Sequence, residues 1–361
     1  MGSFPALLVV VGSLALGASA QLTLNCVSDI PSGRVTGHCI SIRNCDYFMK
    51  ILASSNLSQS DRILLRRNQC GGSGVDVQVC CPSTAGLAAL THPLLPKDCG
   101  SVRWQRSNDT ETETRVREFP WLALIEYTRD NQEKIHACGG VLISDRYVLT
   151  AAHCLAQAAT SNLKITAVRL GEWDTSTNPD CQFHQDTKVT DCAPPYQDLA
   201  VEELLPHPQY TRTDSSQIND IALIRLATPA TFNDFVLPIC LPNKQLRADE
   251  LEGLVTEVAG WQATSSSRMR KSLVTINSLE ECQRKYAGQQ LNIQVTQLCG
   301  LTTTKECHGN AGGPLMLFKN GGYLLGGLMS FGPVPCPNPD WPDVYTRVAA
   351  FTDWIHDSLR A

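Results

Sequence analysis

No stretch of this 361-residue sequence approaches the roughly 20 consecutive apolar residues that a membrane-spanning helix requires. Positive charge is short as well: 30 lysines and arginines face 35 acids, for a net charge of −5. A surface of that balance has little with which to neutralise phosphates, which argues against a nucleic-acid partner. The Met1-Gly2 start lacks the serine or threonine at position 6 that myristoylation favours, since Ala6 stands there. Internal repeats and low-complexity segments are absent. An apolar run does stand at the amino terminus, Leu7 to Leu16, ahead of the small residues Ala18-Ser19-Ala20. That is the pattern of a secretory signal cut after Ala20, although its basic n-region is reduced to the α-amino group.

What the chain has in quantity is cysteine. Sixteen, an even number behind a signal, imply oxidised pairs in an extracellular fluid. Six of them (Cys26, Cys39, Cys45, Cys70, Cys80 and Cys81) crowd into a short N-terminal unit with few large apolar side chains. A unit of about 55 residues buries too little core to hold itself, so three bridges are expected to staple it. Zinc is the competing reading, but this group has no CxxC pair and adjacent Cys80-Cys81 is poor ligand spacing. The expected division is a signal at 1–20, a stapled domain at 21–81, a linker with a cleavage region at 82–117, and a larger domain at 118–361. The linker stretch Pro82 to Asp98 is small and Pro-containing, and Ser107 to Arg117 is polar. Beyond Phe119, short apolar runs (WLALIEY, GGVLI, YVLTAA, IALIRL, YLLGGLMSF, VYTRV) alternate with turns, which predicts an all-β barrel or sandwich. One helix is expected at the end, where Val348, Phe351, Trp354, Ile355 and Leu359 recur at helical intervals.

Three signatures follow one another in the larger domain. Leu149-Thr150-Ala151-Ala152-His153-Cys154 puts a histidine just after a strand. Asn219-Asp220-Ile221-Ala222-Leu223 puts an aspartate at the head of a buried strand, and Cys307-His308-Gly309-Asn310-Ala311-Gly312-Gly313-Pro314-Leu315 is a glycine-rich turn. Histidine, aspartate and glycine turn, in that order, match the chain order of one catalytic-triad lineage. Any one of them alone is weak evidence, because a lone histidine is more often structural.

Over residues 107–361 the chain resembles the trypsin-chymotrypsin family, and its first six cysteines resemble those of the clip domain of arthropod clip-domain serine proteases. The resemblance implies two antiparallel six-stranded barrels, chymotrypsin-like, with a C-terminal helix and a small disulfide-stapled clip domain ahead of them. It implies the pairs Cys26–Cys80, Cys39–Cys70, Cys45–Cys81, Cys99–Cys240, Cys138–Cys154, Cys282–Cys299 and Cys307–Cys336, which leaves Cys181 with Cys192. It places a specificity pocket among Lys305, Gly309, Ser330, Gly332 and Asp343, and an activation cut near Arg106.

The pattern then breaks. Working members carry Gly-Asp-Ser-Gly-Gly at the turn, where this chain reads Gly309-Asn310-Ala311-Gly312-Gly313. Alanine has no lone pair with which to attack a carbonyl, so His153 and Asp220 are expected as remnants of a triad whose third position is Ala311. The Ile-Val-Gly-Gly whose freed amino terminus pairs with the aspartate beside the serine is missing too. Asn108-Asp109-Thr110-Glu111 holds its place, and Asn310 replaces its partner. Losing cation and carboxylate together is coherent, because a buried carboxylate without its cation is costly. Lys305 stands where a trypsin-like enzyme keeps an aspartate, and Asp343 where it keeps a glycine. The two could pair and fill the pocket, or both could turn to solvent in a relaxed loop.

Smaller signals are Asn56-Leu57-Ser58 and Asn108-Asp109-Thr110, which match the glycosylation acceptor. Glu172 lies where some family members hold calcium, but one acid does not make an oxygen cage, and no metal or other cofactor is expected. His136, His184, His207 and His308 are expected in loops, solvated. The reading as a whole is a secreted haemolymph protein without protease activity, a regulator of an innate-immune protease cascade. Its expected partners are upstream trypsin-like clip proteases and prophenoloxidase or its activating protease. A microbial pattern-recognition or adhesion protein, and an enzyme of unorthodox chemistry, remain as alternatives.

Overall fold

The computed structural model describes residues 25–30, 33–53, 57–72, 77–82, 92–101, 113–184, 188–261, 267–302, 311–319, 322–333, 338 and 340–361. The described residues fall into two compact units, one comprising most of residues 25–83 and the other most of the remainder. Among the described residues no helix is long and apolar enough to cross a membrane.

The smaller unit is a four-stranded sheet with two helices. Strands β1 (Asn25–Ile30), β2 (Gly33–Ser41), β3 (Gln69–Gly71) and β4 (Gln78–Pro82) lie in the order β1-β2-β4-β3. Between β2 and β3 come α1 (Asp46–Leu52) and α2 (Gln59–Arg67). Ser58 caps α2 through a reciprocal box, its hydroxyl accepting from Asp61 N at 3.1 Å while Asp61 Oδ2 accepts from Ser58 N at 3.0 Å. The apolar cluster here has only Cys45, Phe48 and Val79 fully inside. Disulfides carry the rest, joining Cys26 with Cys80, Cys39 with Cys70 and Cys45 with Cys81.

The larger unit holds two closed six-stranded barrels. The first is built from β5 (Leu122–Arg129), β6 (Lys134–Leu142), β7 (Tyr147–Thr150), β8 (Leu163–Leu170), β11 (Gln197–Pro206) and β12 (Ala222–Leu226), closed as β11-β12-β7-β6-β5-β8. A hairpin of β9 (Cys181–His184) and β10 (Val189–Cys192) stands apart from it, closed by Cys181–Cys192. The second barrel has β13 (Val255–Gly260), β14 (Arg270–Asn277), β15 (Gln297–Thr302), β16 (Pro314–Lys319), β17 (Gly322–Phe331) and β18 (Asp343–Arg347), closed as β13-β14-β15-β18-β17-β16.

Strand burial tracks position. β11 alternates between half-buried and exposed along its whole length, as a barrel wall with one face in water should. β5 is buried at every position from Leu122 to Tyr127, because its outer face is covered as well. Beside it the fully buried Trp121 and Phe119 meet Tyr323 of the second barrel at ring-centroid distances of 5.4 and 5.7 Å. Burying side chains of this size contributes about 2–3 kcal/mol each, so the seam between barrels is part of the core.

Helices are more numerous than the single terminal one expected. The terminal helix is present as α5 (Thr352–Ser358), with Val348, Phe351, Ile355 and Leu359 inside. In addition α1 and α2 occupy the smaller unit, α3 (Ala152–Thr160) follows β7, and α4 (Leu279–Ala287) precedes β15. Each of these four is nine residues or fewer and stands alone, too short for a period to stand out, whereas α5 continues a 3-10 turn at Val348–Phe351 that lengthens its repeat; α4 is set by its cap, Ser278 accepting from Glu281 N.

The stretch around Cys99 is bound into the larger unit. Cys99 is bonded to Cys240, Gly100 N donates to Pro238 O, and Tyr323 N donates to Gly100 O, both at 2.8 Å. Arg115 and Arg117 lie in a second fixed stretch. Thr114 Oγ1 donates to Met269 O, Trp173 Nε1 donates to Thr114 O, and Arg117 pairs with Asp191 at 2.6 Å. Arg103 and Arg106 fall outside the described residues. A trypsin-like protease has to draw its target into an extended conformation, which the clamps at Thr114 and Arg117 resist. Limited proteolysis should therefore cut after Arg106, secondarily after Arg103, and spare Arg115 and Arg117. Fragments should co-migrate on a non-reducing gel and part once reduced; separation without reductant would show that Cys99 and Cys240 are not bonded.

Candidate functional site

The site forms where the barrels meet. β7 runs buried to Thr150, small Ala151 turns the chain, and His153 lies in the first turn of α3, beside Cys154 and its bond to Cys138 on β6. Asp220 lies just ahead of β12, after Asn219 with a φ of 60°. Its carboxylate is 0% exposed, and its partners come from both barrels. Oδ1 accepts from His153 N at 2.8 Å, and Oδ2 contacts His153 Nδ1 at 2.7 Å. Ser330 Oγ, on β17, donates to Oδ2 at 2.6 Å, and Thr346 Oγ1, on β18, donates to the Asp220 carbonyl at 2.7 Å. A carboxylate accepting from the ring nitrogen fixes the imidazole's orientation, which is the role of an orienting acid in a nucleophile-activating pair.

The turn that follows closes on the first barrel. Gly139 N donates to Ala311 O, and Gly312 N donates to Met329 O, both at 2.8 Å. Gly312 has a φ of 79°, and a Cβ there would come within 2.2 Å of Thr150 Oγ1 and 2.6 Å of Gly139 O. Only glycine fits that conformation and that approach. Backbone contacts, then, hold this turn, and the side chain it presents at position 311 is a methyl group packed against the core. Asn310, Gly309 and Lys305 lie outside the described residues, as do Cys307 and Cys336.

On the opposite wall, Asp343 opens β18 in register with Gly300 of β15. Its Oδ1 lies 2.0 Å from where a Cβ on Gly332 would stand, so the carboxylate fills the space facing that glycine, next to Ser330. Burial pushes its pKa up to about 6. Among the described residues no cation pairs with it.

Near Glu172 the acids are engaged by donors. Glu172 accepts from Arg169 Nη1 at 3.2 Å and from Trp173 N at 3.1 Å. Asp180 Oδ2 accepts from Trp173 N and Asp174 N, and Oδ1 from Thr177 Oγ1. Burial first, then the charge of Asp180, raises Glu172 to about 7. The described residues contain one cluster of close metal-ligating atoms, Cys138, His153 and Cys154, and its two sulfurs are bonded to each other. Neither glycosylation acceptor, Asn56 or Asn108, is among the described residues. Three histidines depart from the expectation of solvated loops. His136 sits in β6, its Nε2 buried and burial lowering its pKa, while the His207 ring packs against Phe351 and Trp354 at 5.2 and 5.1 Å. His184 lies in β9, and His308 is outside the described residues.

Sequence missed Ser330 as a ligand of Asp220 and Thr346 altogether, because both act across the barrel seam from positions more than 100 residues away.

Comparison with known proteins follows the same lines. The family model Trypsin matches residues 110–355, and the model Regulatory CLIP domain of proteinases matches residues 29–81. The chain is 39% identical over 358 residues to Serine protease ea of Drosophila melanogaster, covering 92% of this chain and 91% of that protein. It is 39% identical over 369 residues to Melanization protease 1 of the same species, covering 90% and 91%. Among solved structures, the Drosophila Grass clip serine protease of the Toll pathway superposes with a TM-score of 0.64 at 28% identity, over 93% of this chain and 97% of that one.

Two predictions follow from the geometry. Asp220→Ala strands the buried donors of Ser330 and His153, at ~1–3 kcal/mol each, so stability in urea should fall by about 3 kcal/mol while His153→Ala costs about 1. Equal losses would show that the carboxylate is not the holding group. Asp343, with an ordinary pKa of 3.8 raised to about 6, keeps its proton in the folded state while the unfolded chain releases it. Its contribution is therefore present in acid and lost as pH rises from about 4 through 6. Asp343→Asn should leave stability at pH 4 unchanged and raise it by ~2 kcal/mol at pH 7.5. A loss at pH 7.5 would instead reveal a cation held against Asp343, as pairing with Lys305 requires.

Proposed function

The chain belongs to the trypsin family and carries a regulatory clip domain, and from that premise we propose that it is a non-catalytic homologue regulating an extracellular innate-immune protease cascade, that of prophenoloxidase activation and melanisation. One observation carries the reading: the described end of the turn, Ala311 to Gly313, is bonded to both barrels and packed, and it presents a methyl group at position 311. Every other part of the site that the described residues include remains in position, His153 on Asp220 and Asp220 on Ser330. Such an arrangement keeps a cleft and removes its chemistry, which turns the cleft into a binding surface.

Sequence losses outside the triad support the same reading. Asn310 replaces the aspartate that an activated amino terminus would pair with, and Asn108-Asp109 stands where that terminus would begin. The cascade assignment is supported by the company the chain keeps, a relative named for melanisation and a solved neighbour titled for the Toll pathway. In this role an upstream trypsin-like clip protease cuts near Arg106, and the cut form, held together by Cys99–Cys240, engages prophenoloxidase or its activating protease.

The purified protein, cut or uncut, should turn over no chromogenic peptide amide or ester above background, and His153→Ala should change nothing. Restoring Asn310→Asp with Ala311→Ser should not recover arginine-esterase activity after trypsin treatment. A cut after Arg106 exposes Ser107, which lacks the apolar side chain that would seat a new terminus. One unformed oxyanion donor alone costs ~10²–10³ in rate. Adding the cut protein to plasma depleted of it should change phenoloxidase activity after microbial challenge. Saturable turnover, or a double variant as active as a working clip protease, would overturn the non-catalytic reading; unchanged phenoloxidase activity would overturn the cascade role.

A further inference from the structure

A cavity of about 410 Å³ opens on the second barrel, bounded by the loop from Lys244 to Glu252, the start of α4, Val295 ahead of β15, and Arg347 at the end of β18. None of His153, Asp220, Ala311, Ser330, Gly332 or Asp343 lines it. Its floor is Leu298, buried in one apolar cluster that includes Leu246 and Ala248 at its edge, and Cys299, buried in a second that includes Leu279. The cavity therefore lies where two patches of core come to the surface.

Its lining carries both signs, Lys244, Arg247 and Arg347 against Asp249 and Glu252. Lys244 and Arg247 line the rim, and each is paired, with Asp353 and with Asp249 and Glu250. Arg347 is different. Its Nε donates to Val295 O at 2.9 Å and its Nη1 to Leu246 O at 2.8 Å, and among the described residues no carboxylate meets it. A guanidinium has further N–H donors beyond those two bonds. Burial lowers the pKa of Arg347, as expected of a cation that has lost water without gaining a counter-charge. Asn277, at the end of β14, also lines the cavity, and its Oδ1 is buried without a hydrogen-bond partner.

We propose that this cavity binds a small amphiphilic carboxylate, with the anionic head on the Arg347 guanidinium and the apolar body along Leu246, Leu279 and Leu298. A concave site of a few hundred Å³, mostly apolar with a few polar groups, has the dimensions of a small-molecule site rather than of a flat polypeptide interface. The carboxylate supplies the missing counter-charge, and guanidinium–carboxylate bonds are among the stronger hydrogen bonds available. The site shares no residue with the cleft, so it stands whether or not the protein is catalytic.

The test is titration of the full-length protein with decanoate and with 1-decanol, its uncharged counterpart, by displacement of 1-anilinonaphthalene-8-sulfonate fluorescence. Decanoate should bind saturably at one site, and about tenfold or more tighter than decanol. Arg347→Gln, which keeps an N–H donor for the carbonyls, should erase that preference, bringing decanoate to within about twofold of decanol. Ala248→Phe, on the loop two residues beyond the Leu246 carbonyl that Arg347 holds, should exclude both ligands by filling the space. Should Arg347→Gln fail to fold, the decanoate-to-decanol ratio on the unaltered protein and the Ala248→Phe variant decide the matter. Equal affinity for acid and alcohol, non-saturable binding, binding undiminished in Ala248→Phe, or capture of an acidic peptide in place of decanoate would overturn the proposal.

Discussion

The Asp220 carboxylate, fully buried at the seam between two barrels, is the group on which the rest of the larger domain depends. A charge removed from water is tolerated only when hydrogen bonds surround it. Asp220 recruits those bonds from α3 on one side and β17 on the other, while its own carbonyl takes the hydroxyl of Thr346 on β18. The arrangement orients His153 and registers one barrel against the other. In a working protease the first consequence would be the conspicuous one. The second holds whether or not position 311 carries a nucleophile.

The nucleophile turn shows the same separation of fold from chemistry. Its position is set by Gly139 N on the Ala311 carbonyl, by Gly312 N on Met329, and by the close approach of Gly312 to Thr150. A hydroxyl at position 311 would contribute nothing to those contacts. On the non-catalytic reading proposed above, alanine removes the attacking group without loosening the contacts of Ala311 and Gly312. Asp343 acts on the opposite wall, where its carboxylate occupies space that Gly332 leaves open; burial first, and then the charge of Asp343, raises the pKa of the neighbouring Tyr345. A buried acid there is unfavourable for folding at neutral pH, where the unfolded chain would release its proton.

The two units illustrate two ways of holding a chain. The smaller one has three fully buried cluster residues and three disulfides, with helix α2 started by a serine cap. The larger one has a continuous core that runs from Phe119 and Trp121 across the barrel seam to Tyr323 and Leu325. Its disulfides pin loops and the Cys99 segment to a body that packing already holds together.

Much of this was legible in the residues. Alternating apolar runs announced the strands, the terminal repeat of Val348, Phe351 and Ile355 announced α5, and the order of His153, Asp220 and the glycine turn announced the site, because these are local patterns whose period or spacing is written along the chain. The replacement at Ala311 was readable for the same reason, since chemistry resides in the identity of a side chain. The short helices α1 to α4 were not readable, because their nine residues or fewer give no period to detect. Nor were the parts Ser330 and Thr346 play, the closeness of Asp343 to Gly332, or the Arg347 guanidinium held by two carbonyls beside an apolar floor. Those depend on which distant strands become neighbours when each barrel closes, a global outcome of packing that no local window of sequence contains.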